Sequence, residues 1–192
     1  MNSKFLCFAS FCISILCFSN IYAESNSEPF ICNQVYALCT SAPCIPSPHN
    51  PDYAICDCDV HKGNSAGFTD CKSRKPNQDN YGALHIVSTF SFEQFSTKKQ
   101  MQCSQLSPWT DCLDKPCTVD PQNPNRAICN CKIKHAQAFI TFGGNCNTQT
   151  CITGFWSGAT KKTGAVIENA LRKVVKDTQK THAVYCRTPD KE

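Results

Sequence analysis

"CTSAPCIPSPHNPDYAICDC" at residues 39–58 and "CLDKPCTVDPQNPNRAICNC" at residues 112–131 are two copies of one pattern. At a fixed offset of 73, ten of the twenty positions are identical, and both copies read C-x4-C-x11-C-x-C, through Cys39, Cys44, Cys56 and Cys58 and through Cys112, Cys117, Cys129 and Cys131. Agreement of this kind marks an internal duplication. In each copy P-x-N-P supplies a turn, since proline fixes its own φ and moves the preceding asparagine out of the helical region. After the turn, Ala54, Cys56, Cys58 and Val60 alternate with Ile55, Asp57 and Asp59, as Ala127, Cys129, Cys131 and Ile133 alternate with Ile128, Asn130, Lys132 and Lys134. A period of two predicts a strand whose cysteine face looks inward. Two cysteines on one strand face do not bond readily to each other, so each must reach a different neighbour.

Working outward, Cys32 and Cys71 flank the first copy as Cys103 and Cys146 flank the second, and Tyr36 aligns with Trp109. Cys151 and Cys186 stand outside the repeat and are expected to pair with each other. At the amino end, Lys4, an apolar run and small Ala23 ahead of "ESNSE" have the layout of a secretory signal peptide, with cleavage expected after Ala23. Cys7, Cys12 and Cys17 would leave with it. Fourteen cysteines remain, an even number at a density of about 8%, in the range of exported disulfide scaffolds. All are expected to be structural: Cys32, Cys39, Cys44, Cys56, Cys58, Cys71, Cys103, Cys112, Cys117, Cys129, Cys131, Cys146, Cys151 and Cys186. That chemistry belongs to the periplasm or the extracellular space. Six cysteines per module leave fifteen connectivities open. A module of about forty residues is too short to hold itself by apolar burial, and each bridge contributes roughly 2–4 kcal/mol.

The expected fold is therefore small, disulfide-rich and mainly β: two tandem cysteine-rich modules of short antiparallel strands plus one carboxy-terminal amphipathic α-helix. The expected organisation is a signal peptide over 1–23, module one over 24–82, a connecting strand segment over 83–99, module two over 100–151 and a helical segment over 152–192. "KGNSAGF" reads as a turn after the first repeat strand, "AFITFGG" as a hairpin partner of the second, and "KSRKPNQDNYG" as a polar surface connector. In "ALHIVSTFSFEQF" the residues Leu84, Ile86, Ser88, Phe90 and Phe92 share one strand face. In "GAVIENALRKVVKDT", residues 164–178, Ile167, Leu171, Val174 and Val175 recur at helical spacing and Val166 and Ala170 widen the stripe. Glu168 with Arg172 and Lys173 with Asp177 are favourable i,i+4 pairs.

A metal reading gives Cys56, Cys58 and His61, or Cys129, Cys131 and His135, as three ligands, whereas structural zinc needs four. The histidine also slips from three to four residues past the last cysteine between copies. No metal and no cofactor is expected. Thiol exchange favours C-x-x-C at a helix start, so C-x-C on a strand is poor for redox catalysis. A formal charge of +4, one less without Lys4, gives no nucleic-acid signature. No nucleophile elbow, zinc-protease motif, phosphate loop or standout carboxylate pair is present, and turns explain the glycines of "GFWSGA" and "TFGGNC" as well as an oxyanion hole would.

The expectation is a secreted, non-catalytic binding protein that shows loops from both modules to a protein partner. Candidate loop residues are Ile45, Pro46, His49, Asp52 and Tyr53 in the first copy and Thr118, Val119, Gln122 and Arg126 in the second. Alternatives are a protease-inhibitor-like or toxin-like blocker, whose rigid loops would lose little entropy on binding, and a small secreted hydrolase without a recognisable motif. The basic helical segment, with Lys161, Lys162, Arg172, Lys173, Lys176, Lys180 and Arg187, also suits an anionic membrane surface. The pattern is similar to cysteine-rich tandem-repeat proteins exported by Gram-negative bacteria, a resemblance that implies no activity and supplies no functional residues.

Overall fold

The computed structural model describes residues 27–40, 42–91, 94, 98–103, 108–135, 137–143, 151, 155–174 and 184–185. The expected signal peptide lies outside them, as do Cys146, Cys186, Phe92, Val175 and Asp177. The described strands are β1 (Phe30–Leu38), β2 (Pro43–Pro46), β3 (Tyr53–Gly67), β4 (Asn77–Gln78), β5 (Leu84–Val87), β6 (Phe90–Ser91), β7 (Lys99–Cys103), β8 (Trp109–Asp111), β9 (Pro116–Val119), β10 (Arg126–Lys134), β11 (Phe139–Gly143), β12 (Phe155–Gly158) and β13 (Val184–Tyr185). The described helix, α1, is Lys161–Val174.

The two C-x-C strands are β3 and β10, and they pair with each other. Their antiparallel register sets Cys56 opposite Cys129, Asp57 opposite Ile128 and Ile55 opposite Asn130. Because 129 is the repeat equivalent of 56, this register is self-complementary: each strand meets its own duplicate across a local pseudo-twofold axis. The alternation holds, with Ala54, Cys56, Cys58, Ala127, Cys129 and Cys131 wholly buried.

The same symmetry runs through the flanking strands. Leu38 opposes Asp59 as Asp111 opposes Lys132, and Cys44 opposes Cys56 as Cys117 opposes Cys129. The strand after each copy crosses to the other one: β5 pairs with β9 of copy two, and β12 pairs with β2 of copy one. β12 also runs parallel to β8, which closes a five-stranded barrel in the order β3, β2, β12, β8, β10. On the symmetric side, a parallel bridge from Ala37 to Ser88 and a bond from Thr89 N to Ala37 O at 3.0 Å join β1 to the strand end after β5. The copies thus interlock, where the sequence suggested modules standing in tandem.

Six disulfides are formed among the described residues, and they fit an oxidising extracellular or periplasmic environment. Cys39–Cys58 and Cys44–Cys56 correspond to Cys112–Cys131 and Cys117–Cys129, with sequence separations of 19 and 12 in both copies. These eight cysteines form the barrel core with Ala37, Ala54, Ala127, Ile86 and Ile133. At its centre Cys39 Sγ lies 3.3 Å from Cys129 Sγ, and Cys112 Sγ lies 3.5 Å from Cys56 Sγ. Cys32 pairs with Cys71 as the flanking positions suggested. The expected pairing of Cys151 with Cys186 is corrected: Cys151 joins Cys103. The two pack beside Trp109 and Phe139, whose rings stack at 5.4 Å.

Three local expectations also change. "KGNSAGF" is no turn, because β1 pairs with β3 out to Gly67, and Gly63 keeps the strand extended with a φ of 147° that other residues rarely adopt. "AFITFGG" supplies β11, whose partner is β7 in a second sheet with β13. The connector "KSRKPNQDNYG" contains a fully buried arginine, Arg74, whose guanidinium donates to Phe30 O and Cys32 Sγ.

Helix α1 begins at Thr160, whose hydroxyl accepts from Thr163 N at 3.1 Å, the N-cap arrangement. Ile167 and Leu171 are buried against Phe90, Ile140, Phe142 and Ala159, and Ala170 is buried as well. Gly164 lets the helix approach Ile140, since a Cβ there would overlap the isoleucine side chain. Val166 and Val174, read as part of the inward stripe, are 36% and 45% exposed. Arg172 pairs with Glu168 as expected, while Lys173 pairs with Glu28 at 2.7 Å.

Candidate binding groove beside the helix

The two proline loops are built alike. Asn50 Oδ1 accepts from Asp52 N and Asn50 O from Tyr53 N, and Asn123 repeats both bonds with Asn125 N and Arg126 N. The shared N-P is therefore a turn device. The loops do not converge. Asp52 O accepts from Ile133 N at one end of the β3–β10 pair, and Asn125 O accepts from Val60 N at the other. Seven residues of strand separate Asp52 from Val60, so these ends stand roughly 25 Å apart. Ile45 is 65% exposed, Pro46, His49, Asp52 and Gln122 are exposed, Tyr53 and Thr118 are half-buried, and Val119 is buried in the core. Arg126 is already engaged, with Nη2 2.7 Å from Asp57 Oδ2 and Nη1 on Asp59. It ties copy two to copy one across the sheet face.

Thr118 belongs to a hydrogen-bonded chain that sequence reading missed. His85 Nδ1 lies 3.2 Å from Thr118 Oγ1, and His85 Nε2 lies 3.0 Å from Asp79 Oδ2. The His85 bond, followed by main-chain N–H bonds from Ala83 and Tyr81, holds the Asp79 carboxyl below its usual range. The trio lies across the hairpin of β4 and β5 and the neighbouring β9, and it lines none of the described cavities. Its evident work is to latch that hairpin to the barrel.

A second cross-copy contact centres on Asp114, which sits at a left-handed φ of 57°, a conformation aspartate tolerates better than most residues. Its Oδ2 accepts from Phe68 N at 2.6 Å and Thr69 N at 3.2 Å, while Oδ1 faces Gly67 beside Arg74 Nη1. Burial pushes this carboxyl up from its usual range, against the pull of the Phe68 N–H and the Arg74 charge.

Phe68, so placed, forms a wall between two cavities along α1. On one side a cavity of about 200 Å³ is lined by Trp109, Asp111, Asp114, Thr160 and Thr163. On the other an open groove of about 480 Å³ runs between α1 and residues 27–29. Its apolar surface comes from Pro29, Phe68, Val166 and Ala170, and Lys162, Lys173 and Glu28 are its charged members. A volume of this size with apolar walls and a few polar groups is what small-ligand sites offer. The groove residues come from three distant segments, so no local motif announced them. The one available signal was the breadth of the helix stripe, with Val166 beyond what the core can cover.

The sulfurs of Cys56, Cys58, Cys129 and Cys131 all lie in disulfides, and His61 is stacked on Tyr36 with ring centroids 6.0 Å apart. Close sulfur triads such as Cys39, Cys58 and Cys129 are thus packed bridges without thiolate to offer a metal. No described helix is long and apolar enough to cross a membrane. A mainly β, disulfide-stapled barrel with a groove on the flank of its helix is the class these features define. No family model, curated protein or solved structure matches the chain.

Proposed function

We propose that this is an exported, non-catalytic binding protein that holds its ligand in the groove beside α1, after removal of a leader ending near Ala23. The groove of about 480 Å³, apolar along its floor and charged at its rim, carries this reading. Display of both loops to a single compact partner is less well supported, because the loops leave opposite ends of the β3–β10 pair.

Ligand-observed NMR with a fragment library, repeated on Val166→Glu, tests it. Val166 is 36% exposed, so the substitution puts a charge in the groove without opening the core. Hits that vanish in the variant support the reading, and hits unaffected by it overturn it. Beyond latching its hairpin, the chain of Asp79, His85 and Thr118 has the acid–imidazole–hydroxyl order that a hydrolase uses, which gives hydrolysis as a second reading. Turnover of an activated ester that Thr118→Val abolishes would establish that instead.

A further inference from the structure

We propose that the Cys32–Cys71 bridge is a thiol-exchange site, at which a small monothiol is captured on Cys71 as a mixed disulfide and Cys32 is released as a thiolate beside Arg74. The proposal goes beyond the groove reading and does not depend on it. Exchange at a disulfide is directed by access to one sulfur and by the ease with which the other leaves. This bridge offers both. Of the twelve cysteines in the six described disulfides, Cys71 is half-buried and the other eleven are buried. Its partner Cys32 is buried, and its sulfur accepts from Nη2 of Arg74.

Arg74 singles this bridge out. It is fully buried, yet its Nε and Nη1 have no hydrogen-bond partner. The carboxylates whose charge reaches it, Asp114 and Asp70, are bonded elsewhere. Asp114 Oδ2 accepts from Phe68 N and Thr69 N and its Oδ1 makes no hydrogen bond, while Asp70 accepts from Lys72 N, Ser73 N and Ser73 Oγ. A buried charge is costly until a counter-charge meets it. Opening the bridge supplies that counter-charge on Cys32, which already touches Nη2. The guanidinium therefore stabilises the opened state and makes Cys32 the better leaving group. In the exchange the incoming thiolate forms an S–S bond to Cys71 while the Cys32–Cys71 bond breaks, and the electron pair of that bond stays on Cys32. Reversal needs only the same sulfurs, since Cys32 attacks the mixed disulfide and expels the thiol. The four bridges of the barrel core take no part. The site stays closed in an oxidising compartment and opens in one rich in thiols.

The test treats the full oxidised protein with limiting reduced glutathione, quenches with acid, alkylates free thiols and maps the products by mass spectrometry. The expected first product carries one glutathione on Cys71 and one alkylated thiol on Cys32, with the other five described bridges intact. Arg74→Gln should slow its formation about tenfold, because Cys32 then leaves as an ordinary thiolate. A second measurement does not need that variant to fold. In Cys71→Ser, the ultraviolet absorbance of the Cys32 thiolate, read against the double variant Cys32→Ser with Cys71→Ser, should titrate at about pH 7 or below, where an ordinary thiol titrates at about 8.5. A first adduct on any cysteine other than Cys71 overturns the proposal. So does loss of all the bridges together, an ordinary Cys32 titration, or a rate indifferent to Arg74→Gln.

Discussion

Arg126 makes the most of one side chain. It donates to Asp57 and Asp59 on the neighbouring copy, through Nε at 2.9 Å, Nη1 and Nη2, and the pairing holds its own ionisation above the ordinary range. The pairs are roughly a third to a half exposed, so screening keeps each contribution small. Arg126→Ala should cost about 1 kcal/mol in chemical denaturation, and a cycle with Asp57→Ala should show coupling between the two positions. Asp79 makes a prediction about pH. Its folded pKa is depressed, so its contribution is present above the unfolded carboxylate value of about 3.9 and is lost as pH falls through the folded value. Melting curves from pH 6 down to pH 2 should show Asp79→Asn with a flatter acid limb than the parent. Asp114 has the opposite sign, its carboxyl being raised by burial, yet Asp114→Ala would orphan the N–H groups of Phe68 and Thr69 and should cost about 2 kcal/mol or more.

Among the elements, β12 and α1 both carry a glycine where other chain comes close, with different consequences. A Cβ on Gly158 would strike the main-chain oxygen of Ile140 and Phe139 Cδ2, neither free to withdraw, because Ile140 and Ala159 exchange backbone bonds of 2.8 and 3.0 Å. Gly158→Ala should therefore cost upwards of 2 kcal/mol by denaturant midpoint. At Gly164 the obstacle is the tip of the Ile140 side chain, which can rotate, and alanine gains about 1 kcal/mol over glycine inside a helix. Gly164→Ala should be close to neutral in the same measurement. The strands with strong alternation, β3 and β10, were legible from their residues, as were the turns ahead of them and the inward set of Ile167, Ala170 and Leu171. Less legible were the elements whose partners lie far along the chain. "AFITFGG" has the composition of a strand, and nothing local says that β7, rather than the preceding β10, provides its hydrogen bonds. The groove is of the same kind, since Pro29, Phe68 and Val166 meet through tertiary packing alone.

At the scale of the whole molecule, hydrogen bonding and covalent linkage divide the chain differently. All six described disulfides stay within one half, from Cys32 to Cys71 or from Cys103 to Cys151, while the barrel is closed by strands from both. Neither half should fold as a monomer: a fragment covering residues 27–91 lacks β10 beside β3 and leaves β5 without β9. Its amide spectrum should be that of a random coil until the other half is added. Reduction should unfold the entire protein in one transition without denaturant, because six bridges at about 3 kcal/mol each exceed the 5–15 kcal/mol by which domains are usually stable. The register that sets Cys56 against its own duplicate, Cys129, has a consequence for assembly. An interface in which each partner offers the same surface is that of a C2 homodimer, and here both partners lie on one polypeptide. The chain is a tethered dimer of itself, and the tether frees its pairing from the concentration dependence that separate protomers would face.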